Sequence, residues 1–327
     1  MLIVQDTENV PAAARGGALA IGNFDGVHLG HQSVIGEARL LARAMDAPSA
    51  VLTFDPHPRR FFRPDDRLFE LTPAAAKQRQ IAALGVDALF LLRFDAHFAA
   101  IPAEEFVSRI VLGALGARHI VVGYDFVFGK GRAGDANLLR RMGAEAGIGV
   151  TVVDAVRSGG GEVYSSTTIR GLLREGRVRD AARLLGRTWE IEGEVLHGDE
   201  RGRQIGFPTA NVDPGQYVQP AFGVYAVRVG IPTGKGDAVE WHPGVVNIGR
   251  RPTFKDADAG ITVEAHVFDY DGDLYGKMLR VALVDFIRPE RKFDGLDAIR
   301  AQIAEDCATA RAMLDGAPCA AASGKAG

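Results

Sequence analysis

The sequence predicts an α/β domain followed by a small all-β domain, and three observations lead to this fold class. The chain has 327 residues, more than a single hydrophobic core usually serves, so two domains are expected. Between Ala18 and Ala155, short apolar runs alternate with stretches of helical periodicity. From Trp189 to Phe286 the runs are strand-like and separated by Gly, Pro and Asp turns, which is typical of an all-β domain.

The first half contains five apolar runs of strand length. They are Ala18–Ile21, Ala50–Phe54, Ala88–Phe94, His119–Val122 and Val150–Val153. The spacing of Val34, Ala38 and Leu41 indicates a helix between the first two runs. Near-continuous apolar strands that alternate with helices predict a doubly wound parallel sheet covered on both faces. Ligands of such sheets bind beyond the carboxyl ends of the strands.

Two short helical stretches, Ile169–Glu175 and Val178–Leu185, end the first half, and the pattern changes at Trp189. Five strand-like runs follow, which are Glu190–Leu196, Val224–Val229, Gly244–Ile248, Val263–Phe268 and Met278–Phe286. They predict a small β-barrel, and Phe293–Leu314 predicts a closing helix. We therefore expect domains over residues 1–186 and 187–315, with a disordered tail over 316–327.

Composition excludes several classes of function. The formal net charge is −3, so the chain lacks the basic field that gathers nucleic acid. The N-terminus lacks the features of a signal peptide, and no 18-residue apolar run could cross a membrane, so we expect a cytoplasmic protein. Two cysteines, Cys307 and Cys319, make neither a disulfide framework nor a thiolate metal site. The oligomeric state is left open, with a homo-oligomer as one option.

The segment Gly22–His31 follows a predicted strand and opens a predicted helix. Its glycines let the backbone approach a phosphate, and the helix start offers unpaired N–H groups to an anion. His28 and His31 can face the same way and donate hydrogen bonds to phosphate oxygens. Removing one such donor typically costs roughly 10²–10³ in rate. The spacing fits neither a dinucleotide fingerprint nor a P-loop; the alternative is a Gly-rich turn with two surface histidines.

This segment resembles the H-x-G-H signature of the nucleotidylyltransferase superfamily, and Ser165–Arg170 resembles its second signature, I-S-S-T-x-I-R. The resemblance implies catalytic roles for His28, His31 and Arg170, with Arg170 neutralising the departing pyrophosphate. For Ser165–Arg170 alone, an ordinary helix cap is the alternative. The resemblance also implies that ATP is bound by Gly22, Phe24, Asp25, Gly30, Ser165, Ser166 and Thr167.

Two segments between these signatures, Thr53–Pro58 and Gly123–Gly129, each follow a predicted strand. They should therefore lie at the same edge of the sheet as His28. They resemble the flavin-proximal segments of bacterial FAD synthetases, which implies that the flavin is contacted by Phe54, His57, Asp125 and Phe128. Aromatic rings suit the flat isoalloxazine, although an aromatic residue after a strand is more often part of the core.

The segment His197–Asn211 resembles the riboflavin kinase motif G-R-x-L-G-F-P-T-A-N. The resemblance implies that Gly206, Thr209 and Asn211 bind ATP, that Phe207 contacts the flavin, and that Thr209 and Asn211 hold Mg²⁺. Two oxygen donors two residues apart on an extended segment can point to one side. Glu264 matches the family's general base, a role worth roughly 10²–10⁴ in rate; it shares a strand face with His266, and a solvent-facing strand residue is the alternative.

Together the motifs run from Ala18 to Leu314 and are similar to those of the bacterial bifunctional riboflavin kinase/FAD synthetase family. Membership implies a Greek-key barrel, phosphorylation of riboflavin to FMN by the C-terminal domain, and adenylylation of FMN to FAD by the N-terminal domain. The small-molecule partners are then riboflavin, FMN, FAD and ATP with Mg²⁺. Two alternatives remain: a riboflavin kinase whose N-terminal domain lacks transferase activity, and a flavin-binding regulator or carrier without turnover.

Overall fold

The computed structural model describes residues 1–66, 69–157, 161, 163–198, 206–234, 236–250 and 261–316. These residues form two compact units. The first comprises the described residues of 1–67 and 72–166, and the second those of 68–71 and 167–322. The predicted tail over 316–327 lies outside the described residues except for Gly316, and the predicted domain boundary at residue 186 stays a prediction.

The first unit is built on a six-stranded sheet in which every pair of neighbouring strands is parallel. The strands are β1 (Leu2–Val4), β2 (Ala18–Ile21), β3 (Ser49–Asp55), β4 (Ala88–Arg93), β5 (His119–Gly123) and β6 (Gly149–Val153). Their order across the sheet is β1-β4-β3-β2-β5-β6. The carboxyl ends of β3, β2 and β5 therefore lie side by side.

Helices cover both faces of this sheet. They are α1 (Leu29–Ala44), α2 (Pro58–Phe62), α3 (Ala74–Ala83), α4 (Ala96–Ala99), α5 (Ala103–Glu105, continued by π-helical turns over Phe106–Ala114) and α6 (Ala136–Ala146). Alternate residues of strands β2 to β5 enter two separate cores, one with α1 and one with the π-helical segment and α6. In β2, for example, Ala18 and Ala20 enter the first core and Leu19 and Ile21 the second. This arrangement confirms the predicted doubly wound sheet.

The second unit begins with α7 (Ser166–Arg174), whose first residue belongs to the first unit, and α8 (Val178–Leu185). Six strands then form a closed antiparallel barrel: β7 (Glu190–Leu196), β8 (Ala210–Val212), β9 (Gly223–Pro232), β10 (Val239–Arg250), β11 (Ile261–Val267) and β12 (Met278–Pro289). The final helix, α9 (Leu296–Asp315), buries Ala310 and Leu314 against Val224 and Val245. The predicted barrel with a closing helix is confirmed.

Two strands were not predicted from the sequence, β1 and β8. Each has three residues, which is too short to display a period of its own. Each is fixed by pairing with a longer strand, β1 with β4 and β8 with β7 and β11. Over the described part of the chain, no helix has the length and apolar character that crossing a bilayer requires.

Candidate active sites

His28 lies in the loop that follows β2 and caps the N-terminus of α1. Its Nδ1 accepts a hydrogen bond from the backbone N–H of His31 at 3.3 Å. Because Nδ1 is the acceptor, the neutral ring carries its proton on Nε2, which is then a hydrogen-bond donor. The His28 side chain is buried, with 5% of its surface exposed.

The two histidines stack on each other, with ring centroids 3.6 Å apart and planes 19° apart. Phe24 meets the ring of His31 edge-on at 5.3 Å. Gly30 makes room for this arrangement, since a Cβ there would lie 3.1 Å from His28 Cε1. Gly22 does the same for Phe24, whose ring would lie 3.0 Å from an added Cβ. Gly22 and Gly30 thus have a packing reason beside the predicted one.

Asp25, a predicted ATP-binding residue, is 2% exposed. Its carboxylate accepts a hydrogen bond from the backbone N–H of Thr72 at 3.0 Å. Its carbonyl oxygen accepts one from the hydroxyl of Ser166 at 2.8 Å. Asp25 and Ser166 therefore join the first signature to the second through protein contacts. Sequence reasoning missed Thr72, because it lies 47 positions away in a segment without a motif.

Ser165, Ser166 and Thr167 lie at the start of α7, with Ser165 and Ser166 partly buried and Thr167 exposed. Arg170 lies one turn further on, in the second unit, and is 6% exposed. Its Nε donates to the carbonyl of Phe69 at 2.7 Å, and its guanidinium lies 5.7 Å from the centroid of the Phe69 ring. This hydrogen bond fixes the direction of the guanidinium.

The predicted flavin residues fall into two groups. Phe54 and Phe128 are 7% and 8% exposed and belong to the core of the first unit. His57 caps α2 by accepting from the N–H of Arg59 at 3.1 Å, and it is also buried. Asp125 is exposed just beyond β5. The structure thus places all four near the carboxyl edge of the sheet, but both aromatic rings face largely inward.

An exposed aromatic pair at the same edge was missed by the sequence reasoning. Phe61 and Phe62 are 38% and 65% exposed. Their rings lie 5.1 Å apart, and each is 5.8 Å from Phe94, which also contacts Phe54 at 5.6 Å. The signal in the sequence was two adjacent phenylalanines on a short polar helix, where neighbouring side chains point about 100° apart and do not share one face.

In the barrel, Glu264 alternates along β11 with the buried residues Val263 and Ala265, so it lies on the outer face. It is directly opposite Asn211 of β8 on one side and Asn247 of β10 on the other. Side chains that are directly opposed share one face of a sheet, about 4.5–5.5 Å apart at Cβ. The carboxylate is therefore flanked by two amides, of which Asn247 was not predicted.

Thr209 precedes β8 and is partly buried, like Asn211 and Phe207. His266, two residues beyond Glu264, contacts the same segment: its Nδ1 lies 2.8 Å from the carbonyl oxygen of Pro208. A carbonyl only accepts, so this Nδ1 carries a hydrogen. The ring of Phe207 meets that of His266 edge-on at 5.6 Å. Thus β11 holds the segment that carries the predicted ATP and metal ligands.

Gly198 and Gly206 border residues 199–205 of the kinase motif, which lie outside the described residues. Gly206 has φ of 90°, a left-handed conformation that favours glycine. Gly198 packs against the amide of Asn211, since an added Cβ would come within 2.8 Å of Asn211 Cγ. On the chain just after β11, a hydrogen bond from Arg311 holds the pKa of the Asp269 carboxyl below its ordinary value.

The arrangement in each unit suits transfer of a phosphorus-containing group. The first unit presents a buried imidazole, His28, and a partly buried one, His31, at a helix N-terminus, where negative charge is stabilised. The second presents a carboxylate beside neutral oxygen donors, which suits deprotonation of an alcohol next to a nucleotide. Among the described residues, no cluster of three or more His, Cys, Asp or Glu could hold a metal on its own.

Comparison with known proteins agrees with this division. The FAD synthetase family profile matches residues 10–168, and the riboflavin kinase profile matches residues 185–314. A solved structure described as a macrolide-efflux protein from Streptococcus pneumoniae aligns with a TM-score of 0.82 and 31% identity, covering 95% of this chain and 98% of that one. The likeness shows a shared fold; the name describes the Streptococcus protein.

Curated relatives carry the names of both activities. The bifunctional riboflavin kinase/FMN adenylyltransferase of Escherichia coli K12 is 41% identical over 314 residues, 95% of this chain and 97% of the relative. The Bacillus subtilis protein of the same name is 38% identical over 292 residues, 88% of this chain and 89% of the relative. The chain therefore belongs to the bifunctional riboflavin kinase/FMN adenylyltransferase family, as its motifs predicted, and its function is the synthesis of FMN and then FAD.

Proposed function

We propose that the two activities use separate sites, with FMN adenylylation at the Gly22–His31 loop and riboflavin phosphorylation on the outer barrel face around Glu264. The observation that carries this proposal is the distribution of the two residue sets. His28 and His31 belong to the first compact unit, whereas Glu264, Thr209 and Asn211 belong to the second. In the first unit His28 and His31 are joined by a hydrogen bond and by ring stacking, and in the second Glu264 lies opposite Asn211 on the neighbouring strand.

In adenylyl transfer, a phosphate oxygen of FMN forms a bond to the α-phosphorus of ATP. The bond from that phosphorus to the oxygen bridging to the β-phosphate breaks, and pyrophosphate leaves. The attacking phosphate is already ionised, so no protein base is needed, and catalysis rests on orientation and charge stabilisation. Because Nδ1 of His28 accepts from the N–H of His31, Nε2 is the nitrogen that donates a hydrogen bond to a phosphate oxygen. Arg170, whose predicted role toward the departing pyrophosphate comes from the second signature, belongs to the second unit, so that role stays a prediction from the sequence.

We assign the exposed contact with the isoalloxazine ring to Phe62. Phe54 and Phe128 have little surface left for a ligand, whereas Phe62 is 65% exposed at the same edge of the sheet. Its ring is supported by Phe61 and Phe94 at 5.1 and 5.8 Å. A flat apolar ring gains most from stacking on an aromatic surface that is exposed and held in place.

In riboflavin phosphorylation, the alcohol oxygen of the ribityl chain forms a bond to the γ-phosphorus of ATP while ADP leaves. Glu264 accepts the hydroxyl proton, a step that contributes roughly 10²–10⁴ in rate. Asn211 and Asn247 flank the carboxylate on the neighbouring strands. Their amides can hold it in position by hydrogen bonding. Gly206 and Phe207 precede the same segment and keep their predicted contacts with ATP and the flavin.

Thr209 and Asn211 fit Mg²⁺. A hydroxyl and an amide are the hard, neutral oxygen donors that this ion accepts beside nucleotide phosphates, and Gly198 leaves space for the amide of Asn211. When bound, Mg²⁺ neutralises negative charge on the ATP phosphates. The cytoplasmic location and the homo-oligomer considered from the sequence stay predictions.

The test is a pair of substitutions assayed for both reactions. His28→Ala should abolish FAD formation from FMN and spare FMN formation from riboflavin, and Glu264→Ala should do the reverse. His97→Ala, at an exposed histidine of α4, serves as a control and should leave both rates unchanged. Loss of both activities in either folded variant would refute the two-site proposal. An absence of pyrophosphate or ADP production by the unmodified chain would favour the inactive-domain or carrier alternatives.

A further inference from the structure

The backbone that leads into His28 is held in unfavourable conformations. Phe24 and Val27 have φ of 47° and 41°, and Gly26 between them has φ of 88°. Positive φ is rare outside glycine, and for a β-branched residue such as Val27 it is an outlier. Such conformations persist only where surrounding structure over-determines them, commonly at functional sites. The loop therefore needs contacts from elsewhere in the first unit.

Thr72 supplies two of these contacts. Its hydroxyl oxygen accepts a hydrogen bond from the N–H of Gly26 at 2.8 Å. Its own backbone N–H donates to the carboxylate of Asp25 at 3.0 Å, and its hydroxyl lies 3.4 Å from the same oxygen. Thr72 and Asp25 are 4% and 2% exposed. A buried N–H that loses its acceptor carries the full cost of desolvation, so the Gly26 contact is expensive to remove.

The hydroxyl of Ser166 holds the carbonyl of the Asp25–Gly26 peptide at 2.8 Å, on the side opposite the Gly26 N–H, and further supports act elsewhere on the loop. The side chains of Phe24 and Val27, each 1% exposed, anchor the loop in the core next to α1. The hydroxyl of Thr53 donates to the carbonyl of Asn23 at 3.0 Å. Neither contact reaches the N–H of Gly26, which lies two residues before His28 in the strained segment.

We infer that Thr72 is a positioning residue for FMN adenylylation, acting through Gly26 and Asp25 on His28. Its hydroxyl holds the strained backbone so that the His28 ring caps α1 and stacks on His31. Without that acceptor, the strain in the loop is relieved by a change in φ, and the ring leaves its place. This inference rests on the proposed role of His28 in adenylyl transfer.

The experiment compares Thr72→Val, which removes the hydroxyl and keeps a branched side chain, with Thr72→Ser, which keeps the hydroxyl. In each variant, kcat and KM for FMN are measured in FAD formation. Riboflavin phosphorylation by the same preparation reports on folding of the second unit, and the KM for FMN reports on folding of the first. We expect T72V to lower kcat for FAD formation by roughly tenfold or more, with KM for FMN little changed and the kinase rate intact. T72S should behave like the unmodified chain.

An unchanged kcat in T72V would overturn the inference, as would a T72S variant impaired as much as T72V. Equal loss of both activities in T72V would overturn it too, because the hydroxyl would then serve the whole fold. His28→Ala separates this outcome from failure of the proposed function. If H28A retains FAD formation, the role of His28 is wrong; if H28A loses it while T72V is unaffected, only the role of Thr72 is wrong.

Discussion

Gly198→Ala tests whether the position of the Asn211 amide controls the kinase reaction. An added Cβ would overlap Asn211 Nδ2 and lie 2.8 Å from Asn211 Cγ. Contact between carbon atoms needs about 3.5–4.0 Å, so the amide must retreat by at least roughly 1 Å. A displacement of about 1 Å in a reacting assembly can cost on the order of 10²-fold in rate. The atoms that the Cβ meets belong to the end of the Asn211 side chain and not to backbone, so the fold should survive.

We therefore expect G198A to slow FMN formation from riboflavin by on the order of 10²-fold, while FAD formation from FMN continues at its normal rate. Both rates are followed by chromatographic separation of the flavins. Gly316→Ala is the matched control in the same unit, because a Cβ there meets no atom within 4 Å. A kinase rate in G198A equal to that of G316A would refute the reasoning, since it would show that the place of Asn211 is immaterial.

Three further predictions concern stability and reactivity. Asp306→Ala leaves the partly buried Arg288 without its ion pair at 2.7 Å and should lower the free energy of unfolding in urea by about 3–5 kcal/mol. The Ser49 hydroxyl and amide hold the pKa of Asp87 below its ordinary value of 3.8. The ionised Asp87 carboxylate therefore stabilises the fold fully above pH 3.8, and this stabilisation is lost as the pH falls through the pKa of the folded state. The difference in unfolding free energy between Asp87→Asn and the unmodified chain should shrink over the same range of falling pH. Burial raises the pKa of Cys307 to about 11, so its alkylation by iodoacetamide in a variant lacking the other cysteine should keep accelerating above pH 9; a plateau below pH 9 would contradict this.

The long elements could be predicted from the sequence because their signal is local. Near-continuous apolar runs gave the strands β2 to β6, and β7 was predicted with its observed bounds, Glu190–Leu196. The same holds for α8, Val178–Leu185. The short strands β1 and β8 escaped because three residues carry no period, and only pairing with a longer neighbour makes them strands.

The flavin-facing aromatics show a second limit of sequence reasoning. Phe54 and Phe128 each end or follow a strand, and both were candidates to stack on the flavin. The structure buries both in the core and leaves Phe62 exposed. Whether an aromatic side chain at the end of a strand faces the interior depends on the elements packed over that end of the sheet. Here these elements are the π-helical segment and α4. No local pattern contains that information.

The sequence by itself determined the family and both activities, because the reacting groups stand in contiguous motifs such as Gly22–His31. Only the tertiary structure decided what holds those groups in place. Thr72 reaches Gly26 across 46 positions, and Asn247 becomes a neighbour of Glu264 through the register of β10 against β11. Catalytic chemistry needs particular side chains at fixed spacing, which a motif records. Their positioning needs hydrogen bonds between distant segments, which exist only once sheet order and register have formed.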